Sequence, residues 1–374
     1  MTISDNPLHG DLPHGDVPYG DRPRHDLWGD HPARRGRPGR ERLTALVLAG
    51  LRTVGTGAVW AVGGPEGVCG EGWTGVLERD RPGPAMTRDT VFDLASLTKI
   101  IALWPTVGAL WTAGRLPLDE PLGSYWPEVA ARPIGARTAR QLLTHTAGVP
   151  LRTNFARLYG TDPAAVRAGV LAAPLERPAG EAVEYTDRAA IILGYLVESL
   201  TGTPLALLAA REVWRPLGMA DTAFGPLGGE LSARTAPTEY DEAAGGYLRG
   251  VVHDPSARLL GGVSGSAGAF STARDLGVFL ASLLNPSSRT AWVAESLREQ
   301  TGGLAPVRGL SWLYASGTRP ADGTFVHYGF TGTALWLSRR QRRWAVLLTN
   351  RVHLNREQQP LTDLRNAFRR EVFG

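Results

Sequence analysis

The sequence predicts an α/β (α+β) domain in which one sheet is assembled from both ends of the chain and a mainly helical region is inserted between them. Strand-like runs occur near the start, at 57–62 and 72–77, and return near the end, at 310–315, 324–328, 333–337 and 344–349. Between them, from about Ala102 to Ala210, the pattern is helical. With 374 residues, 43% hydrophobic and 20% charged, the chain can enclose a large core.

Residues 1–40 stand apart and read as a disordered tail. They hold many prolines and glycines and a loose repeat, His9-Gly10-Asp11, His14-Gly15-Asp16 and Tyr19-Gly20-Asp21. Such a segment cannot bury enough apolar surface to offset its ordering entropy. It ends in Arg34-Arg35-Gly36-Arg37-Pro38-Gly39-Arg40, which resembles an AT-hook core, where arginines lie in the DNA minor groove. A single short basic run carries little weight. The net charge of +4 comes from 40 basic against 36 acidic residues, a balance that does not call for a nucleic-acid partner.

The expected domain covers 41–374, with a sheet subdomain at about 41–101 and 265–374 and a helical subdomain at about 102–264. Arg42 to Leu51 reads as a short amphipathic helix. Two strands follow, joined through a Gly/Pro/Glu turn. Asp93 is a natural N-cap for a helix carrying Ser96 and Lys99. Arg188 to Leu200 is the clearest apolar-periodic helix, closed by Thr201-Gly202 with Pro204 beyond. The late strands lead into a final helix from about Gln359 to Val372.

The single Cys69 excludes an internal disulfide and any multi-cysteine metal site, and a buried small residue is its expected role. No metal-ligand spacing occurs in residues 41–374, and no cofactor is expected. The start, Met1-Thr2-Ile3-Ser4-Asp5-Asn6-Pro7, lacks the basic and apolar regions of a signal peptide. No stretch reaches the roughly 18–20 apolar residues of a membrane span. The expected location is the cytoplasm, without a membrane partner.

Lys99 is the one lysine among 40 basic residues, and it follows Ser96 by three positions. Arginine stays protonated at any working pH, whereas a desolvated lysine can lose its proton. On a helix, residues i and i+3 share a face, so the amine can reach the hydroxyl. A serine hydroxyl is a weak nucleophile until a base takes its proton, and Ser-x-x-Lys is a serine-acylase signature. Read alone, the pair is also compatible with a lysine that caps a turn or pairs with a carboxylate.

Several further stretches occur together. Phe92-Asp93-Leu94-Ala95-Ser96-Leu97-Thr98-Lys99 is followed by Gly114-Arg115-Leu116-Pro117-Leu118-Asp119 and by Gln141-Leu142-Leu143-Thr144-His145-Thr146-Ala147-Gly148-Val149-Pro150. Then come Tyr185-Thr186-Asp187, a glycine-rich run from Gly261 to Ala273, and His327-Tyr328-Gly329-Phe330-Thr331-Gly332. In this order they resemble the serine β-lactamase-like family, which comprises class C β-lactamases, low-molecular-weight penicillin-binding proteins and their esterase relatives. The resemblance spans about Arg42 to Gly374 and implies an antiparallel sheet flanked by terminal helices. It implies Ser96 as nucleophile, Lys99 as its base and Tyr185 as the phenol that relays a proton to the leaving group. It further implies an oxyanion hole from the backbone N–H groups of Ser96 and Phe330, next to Gly329. His145, in a framework segment, is expected to be structural.

Two departures narrow the expected substrate. Asp187 stands where the family carries asparagine; it can hold Lys99 but cannot donate to a substrate carbonyl, and it favours protonated lysine. His327 stands where lactamases and carboxypeptidases use lysine for the substrate carboxylate, and it is a weaker, pH-dependent cation. Ser266 replaces a histidine common in esterase-like relatives, with no consequence readable from sequence. The expectation is a serine hydrolase that acylates Ser96 on a small-molecule ester, with an amine or alcohol as a second acceptor class. Alternatives are an acyltransferase of secondary metabolism, a β-lactamase or D-amino-acid peptidase, and a non-catalytic binding protein with a DNA-contacting tail. The acyl group and the oligomeric state are not readable.

Overall fold

The structure, a computed structural model, describes residues 39–79, 84–151, 154–287, 289–318 and 323–374. The expected tail and its AT-hook-like run lie outside these residues, apart from Gly39 and Arg40.

The principal sheet joins both ends of the chain. Its strands are β1 (Gly57–Gly64), β2 (Gly67–Gly75), β8 (Leu313–Tyr314), β9 (Thr324–Tyr328), β10 (Ala334–Ser338) and β11 (Arg343–Thr349). The order is β2-β1-β11-β10-β9-β8, and every described pairing is antiparallel. The first and last strands of the domain are neighbours, with Trp60 opposite Leu347. β2 starts five residues before the expected Gly72, because the turn after β1 is tight. Cys69, on that strand, is half-buried rather than buried.

Side chains alternate across the sheet with period two. Ala58, Trp60 and Val62 join a core with Trp336, Leu347 and Phe368, on the face covered by the helices Arg40–Val54 and Gln359–Phe373. Val59, Ala61, Leu335, Val346 and Leu348 join a second core on the opposite face, with Leu276 and Phe279 of the helix Ala273–Leu284. Both faces are thus covered, which is why the strands read as nearly continuous apolar runs. His327 follows Phe325 by two positions on β9 and so faces the second core and the helical region.

A three-stranded sheet links the two parts. It comprises β3 (Phe92–Asp93), β4 (Ala223–Phe224) and β7 (Ala269–Ser271), in the order β3-β7-β4. A two-residue hairpin, β5 (Tyr240–Asp241) with β6 (Gly246–Tyr247), is separate from it. The inserted helices bury Ile191, Ile192, Leu193 and Leu196 of Asp187–Thr201 against Ile100, Leu103 and Val107. Trp104, Trp312 and Trp336 are fully buried core residues, and Trp111 packs on Trp292. None of these four lines a cavity at Ser96.

Candidate active site

The Ser96 segment departs from the expected single α-helix. Ala95–Leu97 form a 3₁₀ turn, Lys99–Leu103 a wider π-turn, and Trp104–Thr112 the α-helix proper. Pro105 accounts for part of this: it has no N–H for the carbonyl of Ile101, four residues back. That carbonyl accepts instead from Trp214 Nε1, at 2.9 Å. Asp93 ends β3, and its carboxylate accepts from the backbone N–H of Ala95 at 2.8 Å and of His253 at 2.7 Å. Leu94, not the expected Asp93, is the N-cap of this turn and makes no side-chain cap bond; the Asp93 carboxylate instead ties the turn to a distant loop. Ala95 is held at φ +45°, a left-handed conformation that turns the chain sharply before Ser96.

Lys99 is buried and its ammonium has three acceptors: Ser96 Oγ at 2.9 Å, Asp187 Oδ1 at 2.8 Å and the Ser266 carbonyl at 2.8 Å. Three donors and three acceptors match, so the group is fully satisfied. Burial, the largest influence, pulls the Lys99 pKa down, but the Asp187 carboxylate and the nearby Tyr185 oxygen outweigh it and hold it above the usual lysine value. The resting site therefore carries a charged Lys99, as Asp187 foreshadowed.

Sequence reasoning left Ser266 without a role. Its backbone carbonyl is the third acceptor for Lys99, and its hydroxyl bonds to Ser264 Oγ at 2.9 Å. The glycine-rich run supplies the close approach. A Cβ on Gly265 would come within 2.1 Å of the Ala190 carbonyl, so only glycine lets this loop pass the helix that starts at Asp187.

Thr186 caps that helix, its side chain accepting from Arg188 N–H. This places Asp187 in the first turn, where the helix dipole favours a carboxylate. Tyr185 precedes the cap. Lys99 Nζ lies 5.2 Å and Arg308 Cζ 5.4 Å from the centroid of its ring. The Tyr185 hydroxyl is buried without a hydrogen bond of good geometry, yet it is near enough to Lys99 to favour that lysine's charge. The His145 ring lies against Tyr185 at a tilt of 41°, with ring centroids 4.6 Å apart, and its Nδ1 accepts from Thr186 N–H at 3.4 Å. Burial holds the His145 ring neutral, with Arg308 and Lys99 adding to the effect. His145 thus packs against Tyr185 and is bonded to the cap residue Thr186.

His327 corrects the sequence reading. Burial, reinforced by the charges of Lys99 and Arg308, pushes its pKa well below that of a free histidine, so it is neutral and not a cation. Its Nδ1 is 3.2 Å from the Tyr328 carbonyl, which can only accept, so the proton is assigned to Nδ1 and Nε2 is left as an acceptor. The turn after β9 lies against the nucleophile segment. Gly329 N–H donates to the Thr333 carbonyl at 2.8 Å, and Thr333 Oγ1 donates to the Leu94 carbonyl at 3.1 Å. Arg365 Nη2 donates to the carbonyls of Gly329 and Thr333. The Phe330 ring stacks on His253 and lies under Arg351, whose Nη2 donates to the Phe330 carbonyl.

Ser96 and Phe330 border two cavities. The larger, about 500 Å³, is lined by Asp187, Asp254 and His253 among others. Asp254 also caps the helix Pro255–Leu259, and His253 Nε2 lies 3.0 Å from Glu239. The smaller cavity, about 360 Å³, holds Tyr185, His327 and Arg308. Arg308 was missed at the sequence level. The signal for it was a lone charge between Leu304-Ala305-Pro306-Val307 and Gly309-Leu310-Ser311-Trp312.

The site thus joins residues from positions 96 to 330 at one seam between sheet and helices, in a half-buried cleft with no helix long and apolar enough to cross a membrane among the described residues. The chain is similar to several known proteins. A "Putative D-alanyl-D-alanine carboxypeptidase" of Escherichia coli is 30% identical over 308 residues, covering 71% of this chain and 70% of that protein. An N-acetylmuramyl-L-alanine amidase of Bacillus subtilis is 28% identical over 313 residues, covering 73% and 70%. Among solved structures, EstCE1, a hydrolase with promiscuous acyltransferase activity, superposes with a TM-score of 0.72 at 19% identity, covering 89% of this chain and 98% of its own. The profile of the Beta-lactamase family matches residues 47–368, from the first helix through the last, and takes in every residue of the seam. With Ser96 and Lys99 spaced and bonded as a serine-hydrolase pair within this fold, the chain belongs to the β-lactamase family.

Proposed function

We propose that this protein is a serine hydrolase that forms an acyl-enzyme at Ser96 on a small ester. The observation that carries the reading is the 2.9 Å contact of Lys99 Nζ with Ser96 Oγ at the junction of the two cavities. In this reading Lys99 is the base, although its resting form is charged. Acylation proceeds from the fraction in which Lys99 has lost its extra proton to solvent, leaving a neutral amine 2.9 Å from Ser96 Oγ. Tyr185 then relays the proton to the leaving group, with Lys99 and Arg308 both near its ring. The N–H groups of Ser96 and Phe330 receive the oxyanion.

Acyl transfer to an amine or alcohol is the second reading. Two cavities meeting at Ser96 favour it, because donor and acceptor can occupy different sides of one nucleophile. The similarity to a hydrolase with promiscuous acyltransferase activity supports it further. A β-lactamase or peptidase role has less support, since His327 is neutral and Asp187 cannot donate. A binding role without turnover has less again, given the satisfied Ser96–Lys99–Asp187 array.

Incubation with a fluorophosphonate followed by intact-mass measurement tests the reading. One adduct is expected on the native protein and none on Ser96→Ala. A native protein that gains no adduct overturns it. Analysis of products from p-nitrophenyl acetate with an added amine then divides hydrolysis from transfer.

A further inference from the structure

We propose that His253 is a second proton-transfer residue of the site, a general base held by Glu239 that activates the acyl acceptor in the larger cavity. The inference rests on the acyl-enzyme reading and assigns its second half, release of the acyl group from Ser96.

The two cavities are chemically unequal. Among the described residues Tyr185 lines only the smaller one, so an acceptor on the larger side meets different groups. The guanidinium groups there, Arg188 and Arg356, are donors only. Asp187 is taken up by Lys99, and Asp254 Oδ1 accepts from Ala257 N–H. Lys99 donates to three acceptors and is charged at rest, so it can give a proton but not take one. An acceptor amine or hydroxyl must lose a proton as it attacks, and imidazole is the side chain suited to taking it near neutral pH. His253 is the one histidine among the described residues that line this cavity.

The ring is built in. Its backbone N–H donates to Asp93 Oδ2 at 2.7 Å, and the other Asp93 oxygen accepts from the N–H of Ala95, the residue before Ser96. Its face lies on the Phe330 ring, with centroids 5.7 Å apart and planes inclined by 24°. His253 is therefore fixed to both segments that frame the nucleophile. Its Nε2 lies 3.0 Å from Glu239 Oε2. The Arg356 guanidinium grips both oxygens of Glu239 and holds that carboxyl below the usual range, so it is ionised and can only accept. The imidazole proton is thus assigned to Nε2, and Nδ1 is left as the acceptor. Nδ1 makes no hydrogen bond among the described residues and is not sealed off, so it opens to the cavity that His253 lines. A base oriented by a third group through its far nitrogen is the arrangement that activates nucleophiles.

In the step itself the acceptor O–H or N–H proton passes to Nδ1 as the acceptor atom bonds to the acyl carbon. The acyl carbon–Ser96 Oγ bond breaks, and Oγ takes a proton from the Lys99 ammonium. His253 then releases its proton to solvent and Lys99 regains one, so the two exchanges cancel. Glu239 stabilises the imidazolium that forms in between.

The test uses p-nitrophenyl acetate and the full chain. Intact mass follows acetyl-Ser96 as it forms and, once the ester is exhausted, as it decays. In His253→Ala the decay is expected to slow by about 100-fold, the range for a general base, so that acetyl-enzyme accumulates. Added imidazole is expected to restore part of the lost release, which a packing role would not allow. Glu239→Gln leaves the ring in place and is expected to slow the same step by a smaller factor. Decay at the native rate in both variants overturns the proposal, as does slow decay in His253→Ala that imidazole leaves unchanged. Fluorophosphonate labelling of Ser96 in each variant reports whether the nucleophile is still assembled. If His253→Ala is not labelled, Glu239→Gln decides: slowed decay there sustains the proposal and native decay overturns it. A native protein that takes neither acetyl nor fluorophosphonate overturns the acyl-enzyme reading and this proposal with it, whereas a labelled native protein with unaffected variants overturns this proposal alone.

Discussion

Replacing Gly329 by alanine tests whether the turn after β9 supplies the oxyanion donor. An alanine Cβ at this position would meet the Leu94 carbonyl at 2.4 Å and Thr333 Oγ1 at 2.0 Å, where ordinary contact begins at 3.4 Å. The Thr333 hydroxyl can rotate away at the loss of its bond to Leu94. The Leu94 carbonyl cannot, because it belongs to the backbone two residues before the nucleophile. Relief therefore requires the Gly329–Phe330 turn to retreat from Ser96 by about 1 Å. A displacement of that size at a reacting centre costs about 100-fold in rate, similar to the loss of an oxyanion donor. The expected result for Gly329→Ala is a fall of about 100-fold in kcat/KM for p-nitrophenyl acetate, with an unchanged far-ultraviolet circular dichroism spectrum. Adding Thr333→Ala removes the nearer clash but not the one with Leu94, and should restore little. Near-native activity in Gly329→Ala would refute the reasoning. Full rescue by the second substitution would locate the strain in the Thr333 side chain instead.

Asp187→Asn keeps an oxygen for Lys99 but removes the charge that opposes burial. The Lys99 pKa is then expected to move down, more free amine is present at lower pH, and the rising limb of the pH profile of kcat/KM shifts towards acid. A limb that stays in place would show that Asp187 does not control Lys99. Asn350, just after β11, ties that strand to the start of β1 and to the segment after β2: its Oδ1 accepts from Thr56 and Gly57 N–H, and its Nδ2 donates to Leu77 O and Thr56 Oγ1. Asn350→Ala leaves buried donors unmatched and should lower stability by about 2–3 kcal/mol in urea unfolding. A loss within about 0.5 kcal/mol would show that water replaces these bonds.

Much of the fold was legible because strand alternation and helix periodicity are local. The runs at the two chain ends pair as one sheet, and the helix expected at Arg188–Leu200 spans Asp187–Thr201. The limits of such reading lie where distant residues intervene. The mixed helix at Lys99 depends on Pro105 and on a carbonyl taken up by Trp214, more than a hundred residues away. The π-turn carries no mark of its own in the sequence.

The sequence by itself determined the Ser96–Lys99 pair, because a spacing of three on a helical segment brings side chains together whatever surrounds them. By resemblance it also indicated Tyr185, Asp187 and His327, which the fold does assemble at one seam. Only the tertiary structure decided their charge states, since these depend on burial and on neighbours far apart in the chain. Asp187 keeps Lys99 protonated, and the enclosed strand position makes His327 neutral. It also revealed the Ser266 carbonyl, which has no side-chain signature, and Arg308, whose meaning comes from being enclosed without a partner. Spacing is local, whereas desolvation belongs to the assembled molecule.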